Sequence, residues 1–340
     1  MNNLEFGIFD HLDRRPDVSL SQTYEDRLKL VGGYDQAGFD TYLIAEHHAT
    51  PLTVAPAPSV FLAAVAQRTS RIRFGPMVYV LPLYHPLRLI EEICMLDQMS
   101  NGRFDLGVGR GVSPYELQYF GVDPAEARDI YDEILEIVLT GMQTDRLTFH
   151  GKYFNFDNVP LAISPVQKPH PPLWIGIGTA DGARRAGDAG VNVLTNLPLD
   201  MGTDLMAQYK DAFATRHGDA KLPKFAMCRH TYVAETDAEA ERIMREAYPA
   251  WYQHFVALWI EHGANPIIAQ YSADFDETVS RDLLIFGSPA KVREEIERYV
   301  ETSATNYFVG RFAYGSLTYE QSCAALDLFA AEVMPHFSAA

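Results

Sequence analysis

The sequence predicts a (β/α)8 (TIM) barrel, and the first reason is the alternation of its patterns. Short apolar runs typical of buried strands are each followed by a stretch with helical periodicity, and the first half of the chain contains no hairpin signal. The repeat is about 35 residues for one strand and one helix, a spacing that favours a parallel sheet. The second reason is size, since 340 residues, of which 47% are hydrophobic, suffice for one large barrel core.

Charge and cysteine content exclude several classes of partner. The chain has 28 basic and 45 acidic residues, a net charge of -17, which argues against nucleic acid and anionic membrane surfaces. Its cysteines, Cys94, Cys228 and Cys323, lie far apart and suggest neither a disulfide framework nor a zinc knuckle. No basic leader precedes the first strand, and no apolar run reaches the ~20 residues needed to span a bilayer. We therefore expect a cytoplasmic protein.

The first half of the chain contains four strands and four helices. The strands are predicted at 4–9, 41–45, 72–81 and 104–108. The helices are predicted from about residue 23 to Gly38, from the Pro-rich loop 49–58 to Arg68, after Pro86, and over 124–139. Glycine at position 38 is typical of a helix C-terminus.

The second half continues the alternation with two interruptions. Further strands are predicted at 173–177, 191–195, 226–234 and 306–312, each followed by a helix. Capping boxes mark two of these helix starts, Thr236 to Glu239 and Thr318 to Gln321. The aromatic and Pro-rich stretch 143–172 is expected to pack on the barrel surface, and 255–286 to be a functional or mobile insertion. Eight strands and eight helices fit a single domain over residues 1–340 better than two domains.

The stretch 41–48, Thr-Tyr-Leu-Ile-Ala-Glu-His-His, indicates an active site. An apolar run ends in Glu46, His47 and His48 at the C-terminal mouth of a strand, where barrels bind their ligands. Neighbouring strand residues face opposite sides, so both imidazoles enter one pocket only if the strand has already given way to a loop. One histidine is therefore expected to be structural. No His-x-His or His-Glu-x-x-His spacing accompanies them, and we predict no metal site.

Two other strand ends could hold a phosphate. Residues 174–182 run from a strand into a helix with glycines at the turn, which leaves backbone N–H groups free at the helix N-terminus. Arg110 lies between two glycines, so its guanidinium could make a two-pronged contact to a phosphate. Asp181 would oppose an anion at that turn unless it caps the helix or pairs with Arg184 or Arg185. Both glycine patterns are also common turn chemistry, and neither is the dinucleotide-binding pattern.

With these residues in view, the chain resembles the bacterial luciferase family of flavin-dependent monooxygenases. No single matching piece is specific, but together they are highly specific and occur in order along nearly the whole chain. They are Gly38-Phe-Asp40, Ala45-Glu-His-His48, Leu81-Pro82 with His85-Pro86, Leu96-Asp-Gln-Met-Ser-Asn-Gly-Arg-Phe104, Gly107 with Arg110-Gly111, Gly287-Ser-Pro289 and Val333-Met-Pro335.

The resemblance implies that a separate reductase supplies reduced FMN, which binds at the barrel mouth and activates O2 as a flavin hydroperoxide. It also implies a catalytic role for His47, a non-proline cis peptide between Met77 and Val78, and a homodimer. The positions that match the FMN phosphate site are Arg110, Thr179 and Gly182. The positions that match residues lining the flavin are Glu46, Val78, Gly109 and Gly178.

Two departures from luciferase limit what the resemblance implies. This chain has Gly109 in place of a reactive cysteine and Asn196 in place of a tryptophan, so light emission and a long-chain aldehyde are not expected. The expected substrate is a small apolar aldehyde or ketone. A deazaflavin-dependent oxidoreductase on the same barrel is the main alternative. A non-catalytic flavin-binding subunit is another, although the retention of His47 and Arg110 speaks against it.

Overall fold

The described part of the chain is built on one large parallel sheet and its connecting helices. The computed structural model describes residues 4–265 and 270–338. The strands are β1 Glu5–Asp10, β2 Thr41–Ile44, β3 Arg73–Pro76, β4 Tyr79–Val80, β5 Leu106–Gly109, β6 Arg146–His150, β7 Asn155–Pro160, β8 Leu173–Gly176, β9 Asn192–Thr195, β10 Phe225–Val233, β11 Leu284–Gly287 and β12 Tyr307–Arg311. The α-helices are α1 Leu20–Ala37, α2 Pro58–Arg68, α3 Pro86–Met99, α4 Pro114–Tyr119, α5 Ala127–Gly141, α6 Ala180–Ala189, α7 Leu199–His217, α8 Asp237–Glu261, α9 Phe275–Ser280, α10 Pro289–Ser303 and α11 Tyr319–Leu328.

Nine of these strands form a ring of parallel neighbours. Their order is β3-β2-β1-β12-β10-β9-β8-β5-β4, and β3 and β4 follow each other in the chain, so the path returns on itself. A parallel bridge between Phe74 and Phe104 also joins β3 to the segment before β5. With β3 and β4 sharing one position, the ring has the eight positions of a (β/α)8 barrel. The predicted fold is confirmed.

Local sequence signals fix several helix ends. The side chains of Thr236 and Thr318 accept from the backbone N–H groups of Glu239 and Gln321 at 3.2 and 3.1 Å, as the two capping boxes predict. Helix α1 ends at Gly38, whose φ of 89° is left-handed and carries no Cβ penalty in glycine.

The eight predicted strands occupy the eight ring positions, and the third of them is split. Its two parts, β3 and β4, flank a non-proline cis peptide between Met77 and Val78, at the predicted bond. The interruption over 143–172 contains an antiparallel hairpin of β6 and β7, anchored by buried Leu147. The single domain over 1–340 stays a prediction.

The stretch 255–286, expected to be a functional or mobile insertion, consists mostly of regular elements in its described part. Helix α8 continues to Glu261, because its apolar residues Val256, Leu258 and Trp259 are still buried. Helix α9 and strand β11 follow, and β11 extends the sheet beside the end of β10. Residues 266–269, within the same stretch, lie outside the described residues. None of the helices in the described part of the chain is long and apolar enough to cross a membrane.

The barrel interior is apolar, and its N-terminal end is closed by polar contacts. Asp105, just before β5, accepts from Nε1 of Trp174 and from Nε of Arg73, each at 2.8 Å. The opposite, C-terminal end of the strands is the end at which barrels bind ligands. The apolar residues of the interior come from strands around the whole ring. They are Phe9, Leu43, Ala45, Met77, Trp174, Leu194, Ala226, Cys228, Tyr307 and Val309.

Candidate active site

Four basic side chains lie over the apolar interior at the C-terminal end of the ring. Each follows an interior apolar residue by two places, and the pairs are Phe9/His11, Ala45/His47, Cys228/His230 and Val309/Arg311. Because residues two apart on a strand share a face, these four point toward the barrel axis. The alternation continues past the strand ends, since the rings of His11 and His47 lie 5.8 Å apart. The four strands are consecutive in the order β2-β1-β12-β10.

His47 is oriented by a carboxylate from another element. Its Nδ1 lies 3.1 Å from Oε1 of Glu116 on α4, and the backbone N–H of His48 donates to the same oxygen at 3.2 Å. The side chain of His47 is 20% exposed and that of Glu116 only 4%. Strand β2 has ended at Ile44, so both histidines lie on the loop that follows it. With Nδ1 held by Glu116, Nε2 is the nitrogen left to face a ligand.

Next to His47, the partly exposed His48 pairs with the buried Glu46. Glu46 accepts from Nε2 of His48 at 2.9 Å, from the N–H of Val80 at 2.9 Å and from the hydroxyl of Tyr84 at 3.0 Å. Burial raises the pKa of the Glu46 carboxyl, while these donors act in the opposite direction. His48 therefore has a structural partner and His47 remains the more available imidazole, although its catalytic role stays a prediction.

Val78 and Gly109 meet in the barrel wall, where β4 pairs with β5. A Cβ on Gly109 would lie 2.4 Å from Cγ2 of Val78, closer than two non-bonded carbon atoms approach. This contact explains why the position holds glycine and not the cysteine of luciferase. Gly178, in contrast, has no atom within 4 Å of its Cβ position. The predicted flavin-lining residues Val78, Gly109 and Gly178 thus lie at the ends of neighbouring strands.

The predicted phosphate residues lie together on the β5 and β8 side of the ring. The register pairs Val108 with Ile175, so Arg110 and the turn at 178–182 follow adjacent strand ends. Arg110 is exposed, and no hydrogen bond or ion pair joins it to another residue within 4–265 or 270–338. Thr179 caps α6 by accepting from the N–H of Gly182 at 3.1 Å.

An anion can bind at the N-terminus of α6 only if the negative charge of Asp181 is compensated. Asp181 forms ion pairs with both Arg184 and Arg185, so its charge is compensated. The first amides of an α-helix have no intrahelical acceptor and are free for a ligand. The N–H of Gly182 is already donated to Thr179, so its own phosphate contact stays a prediction.

Helix α8 covers the mouth beside β1. Nε1 of Trp251 donates to Nδ1 of His11 at 3.4 Å, and Nδ1 of His254 lies 3.3 Å from Oδ2 of Asp13. Burial, followed by the nearby charge of Arg311, lowers the pKa of His11 well below its ordinary value of 6.5. His11 is accordingly a neutral hydrogen-bond acceptor that fixes α8 to the barrel.

Four residues of the site were not predicted from the sequence, although two sequence patterns indicate them. Ser113-Pro-Tyr-Glu116 has the spacing of a capping box, which predicts α4 and places Glu116 in its first turn. His11, His230 and Arg311 follow the apolar-then-basic alternation at strand ends that also contains the predicted histidine.

A closed (β/α)8 ring with a carboxylate-held histidine at its C-terminal mouth has the architecture of a barrel enzyme. The family model described as luciferase-like monooxygenase matches residues 4–306, and the chain belongs to this family. It is therefore an enzyme of the flavin-dependent monooxygenase class.

Two curated relatives match the chain over nearly its full length. The protein y4wF of Sinorhizobium fredii is 36% identical, over 98% of this chain and 97% of its own. The oxygenase component of flavin-dependent trigonelline monooxygenase from Acinetobacter baylyi is 27% identical, over 98% and 96%.

Solved structures agree on the fold. Monooxygenase RslO1 from Streptomyces bottropensis has a TM-score of 0.88 at 26% identity and covers 98% of this chain and 100% of its own. The oxygenating constituent of 3,6-diketocamphane monooxygenase from Pseudomonas putida, solved with FMN, has a TM-score of 0.83 at 24% identity over 98% of both chains. An F420-dependent secondary alcohol dehydrogenase has a TM-score of 0.72 at 19% identity over 98% of both. The last two are similar in fold alone.

Proposed function

We propose that this chain is the oxygenase of a two-component FMN system. A separate flavin reductase supplies FMNH2, and this chain binds it with O2 and oxygenates a small organic, carbonyl-containing substrate. The observation that carries the proposal is a carboxylate-held His47 at the same mouth as the α6 N-terminus and Arg110, whose side chain has no partner among the described residues. The relative named as an oxygenase component supports a separate reductase. The FMN complex of a protein with the same fold supports the cofactor.

The residues have distinct tasks in this proposal. Arg110, Thr179 and Gly182 hold the FMN phosphate, and Glu46, Val78, Gly109 and Gly178 line the flavin ring. When bound, reduced FMN supplies the electrons that activate O2. Glu116 holds Nδ1 of His47, so that Nε2 can exchange a proton with the bound oxygen or with the substrate carbonyl. The buried walls of the mouth keep water from the reacting atoms.

Two alternatives remain. A deazaflavin-dependent oxidoreductase would use the same mouth for hydride transfer. An F420-dependent secondary alcohol dehydrogenase has the same fold, which supports this alternative. A non-catalytic flavin-binding subunit would not need the contact between His47 and Glu116. We further infer a cytoplasmic location, which the three free cysteines support, since a reducing compartment keeps thiols free. The homodimer implied by the family resemblance is part of the same proposal.

Titration of the flavin-free protein under anaerobic conditions tests the cofactor. FMNH2 and reduced deazaflavin are added separately and binding is followed by flavin absorbance, after which air is admitted. We expect tight FMNH2 binding and an oxidation rate different from that of free FMNH2, because the site excludes water and places His47 beside the reacting atoms. Preferential binding of the deazaflavin with no response to air would favour the hydride-transfer enzyme and contradict the proposal.

Arg110→Ala tests the phosphate assignment. Loss of a hydrogen bond to a charged group should weaken FMN binding by ~1.5 to 3 kcal/mol. Riboflavin, which lacks the phosphate, should bind equally well to both forms. The matched control is Arg88→Ala, which removes an exposed arginine whose ion-pair partner is Glu92 of the same helix, and should leave both affinities unchanged. Equal losses for FMN and riboflavin in Arg110→Ala would show that this arginine does not contact the phosphate.

A further inference from the structure

Two buried arginines on neighbouring strands differ in how their guanidinium groups are used. Arg229 on β10 is fully used, because its Nε donates to the Tyr299 hydroxyl, Nη1 to the carbonyl of Cys228 and Nη2 to the carbonyl of Leu197. Arg311 on β12 is only 2% exposed, but its hydrogen bonds within the described residues all come from Nη1.

Arg311 and its partner leave buried polar atoms unsatisfied. Nη1 of Arg311 donates to the Tyr271 hydroxyl at 2.9 Å and lies 3.4 Å from Nδ1 of His230. Nε of Arg311 and Nε2 of His230 are both buried, and neither has a hydrogen-bond partner among residues 4–265 and 270–338. Buried polar atoms in native proteins nearly always have partners, so an unpaired donor on a buried cation indicates a missing acceptor.

No charge compensates Arg311 from within the described part of the chain. None of the ion pairs within residues 4–265 and 270–338 includes it, although the chain is acidic overall. Burial and the charges of Arg311 and Arg229 lower the pKa of His230 well below 6.5, so this imidazole is neutral. A buried charge without a counter-charge is strongly unfavourable, and a bound anion would remove that cost.

The surroundings of Arg311 suit a flat ligand. Its guanidinium lies 4.7 Å from the ring centre of Phe9 and 5.7 Å from that of Trp251. The Tyr314 ring lies 4.6 Å from the ring of His230. Aromatic faces and edges of this kind pack well against planar, conjugated groups.

Arg311, His230 and Tyr271 lie at the same mouth as His47, on the side opposite the predicted phosphate site. The order of the ring places β12 opposite β5, and therefore Arg311 opposite Arg110. His11 lies between His47 and the aromatic residues around Arg311. Its ring is 5.8 Å from that of His47 and 6.0 Å from that of Trp251. A ligand held at Arg311 would thus extend toward the imidazole proposed to exchange the proton.

We infer that Arg311, with His230 and Tyr271, binds a carboxylate of the substrate, and that the substrate is a planar, aromatic or conjugated carboxylic acid. This inference rests on the proposed function, because it names the substrate class of the same mouth. It replaces the small apolar aldehyde or ketone expected from the sequence with an anion. Two-pronged recognition of a carboxylate is the interaction for which arginine is best suited.

The test compares benzoate with benzamide, which has nearly the same shape but no charge. Binding to the wild-type protein is measured by titration calorimetry, and we expect benzoate to bind about 10- to 100-fold more tightly, the range for a charged hydrogen bond. Arg311→Met should abolish this preference, whereas Arg311→Lys, which keeps the charge but not the fork, should retain part of it. The comparison of the two ligands on the wild-type protein needs no variant, so it remains decisive if a variant fails to fold.

FMN affinity, measured on the same proteins, separates this inference from the proposed function. Loss of the benzoate preference in Arg311→Met with unchanged FMN affinity would support the carboxylate site. Equal binding of benzoate and benzamide to the wild-type protein would overturn it, and tight FMN binding would leave the proposed function standing. A fall in FMN affinity with benzoate binding unchanged would assign Arg311 to the flavin and also overturn the inference.

Discussion

At the residue scale, the central contact joins two parts of the chain that are far apart in sequence. His47 and Glu116 are separated by 69 positions, and their contact forms only because α4 folds back over the end of β2. His48 turns the other way, toward Glu46, and its ring packs edge-on against Phe120 at 4.5 Å. The side chains of these adjacent histidines thus have different carboxylate partners.

His47→Asn tests the catalytic assignment. The side chain lies partly exposed at the mouth, so its loss should leave the fold and the FMNH2 affinity nearly unchanged. Loss of a general acid or base typically lowers the rate by 10²- to 10⁴-fold. In an assay coupled to the reductase, we therefore expect substrate oxygenation to fall by about that factor, while NADH consumption continues and free H2O2 accumulates.

His48→Asn is the matched control for that experiment. It removes the bond to Glu46 and the contact with Phe120, so it should lower the melting temperature while turnover per folded molecule stays close to that of the wild type. The reverse pattern, with position 48 sensitive and position 47 silent, would leave the family unchanged but move the catalytic role to His48.

At the element scale, the ring could be predicted because each strand is a compact apolar run followed by a recognisable helix. Strand β11 could not, because it pairs only beside the end of β10, outside the ring, and its short apolar run follows an irregular stretch. His47, Arg110 and the 178–182 turn could be predicted because each directly follows a strand. The contact with Glu116 depends on how α4 folds back, which local pattern does not reveal.

Gly109→Ala tests the contact between neighbouring strands in the wall. The added Cβ would lie 2.4 Å from Cγ2 of Val78, and overpacking of this kind costs about 1 to 3 kcal/mol. We expect that loss in the free energy of unfolding, measured in urea. Val78→Ala removes the clashing methyl group and should restore part of it in the double variant. The control is Gly176→Ala, whose Cβ would lie at an ordinary 3.6 Å from Cε of Met77. A Gly109→Ala protein as stable as the control would rule out the wall contact as the reason for glycine.

At the scale of the whole molecule, an acidic chain carries arginines at the mouth of its barrel. The net charge of -17 makes nucleic acid an unfavourable partner, yet the mouth carries Arg110 on one side and Arg311 on the other. A ring of parallel strands brings such distant residues to one end regardless of their separation in sequence. In the two proposals above, an arginine on each side of the mouth binds an anionic group, while Glu46 and Glu116 at the same mouth are paired with histidines.

Burial of two neutral histidines in this mouth predicts a loss of stability in mild acid. The pKa values of His11 and His230 are lowered well below 6.5 in the folded protein, mainly by burial. As the pH falls through 6.5, the unfolded chain takes up protons that the native protein does not, so the free energy of unfolding decreases. Between about pH 7.5 and about pH 5.5 the loss should be at most about 1.4 kcal/mol for each histidine, the value for an imidazole that stays neutral in the folded protein.

Urea unfolding of the wild type and of His11→Asn and His230→Asn at the two pH values measures this loss. Asparagine keeps an acceptor near the position of Nδ1 but does not titrate, so each variant should lose less stability than the wild type as the pH falls, by at most about 1.4 kcal/mol. The buried carboxyls of Glu46 and Asp105, whose pKa values are raised, act with the opposite sign. Because they are the same in all three proteins, the difference between variant and wild type isolates the histidines. Parallel pH dependences in the three proteins would mean that these imidazoles already take up protons in the folded state.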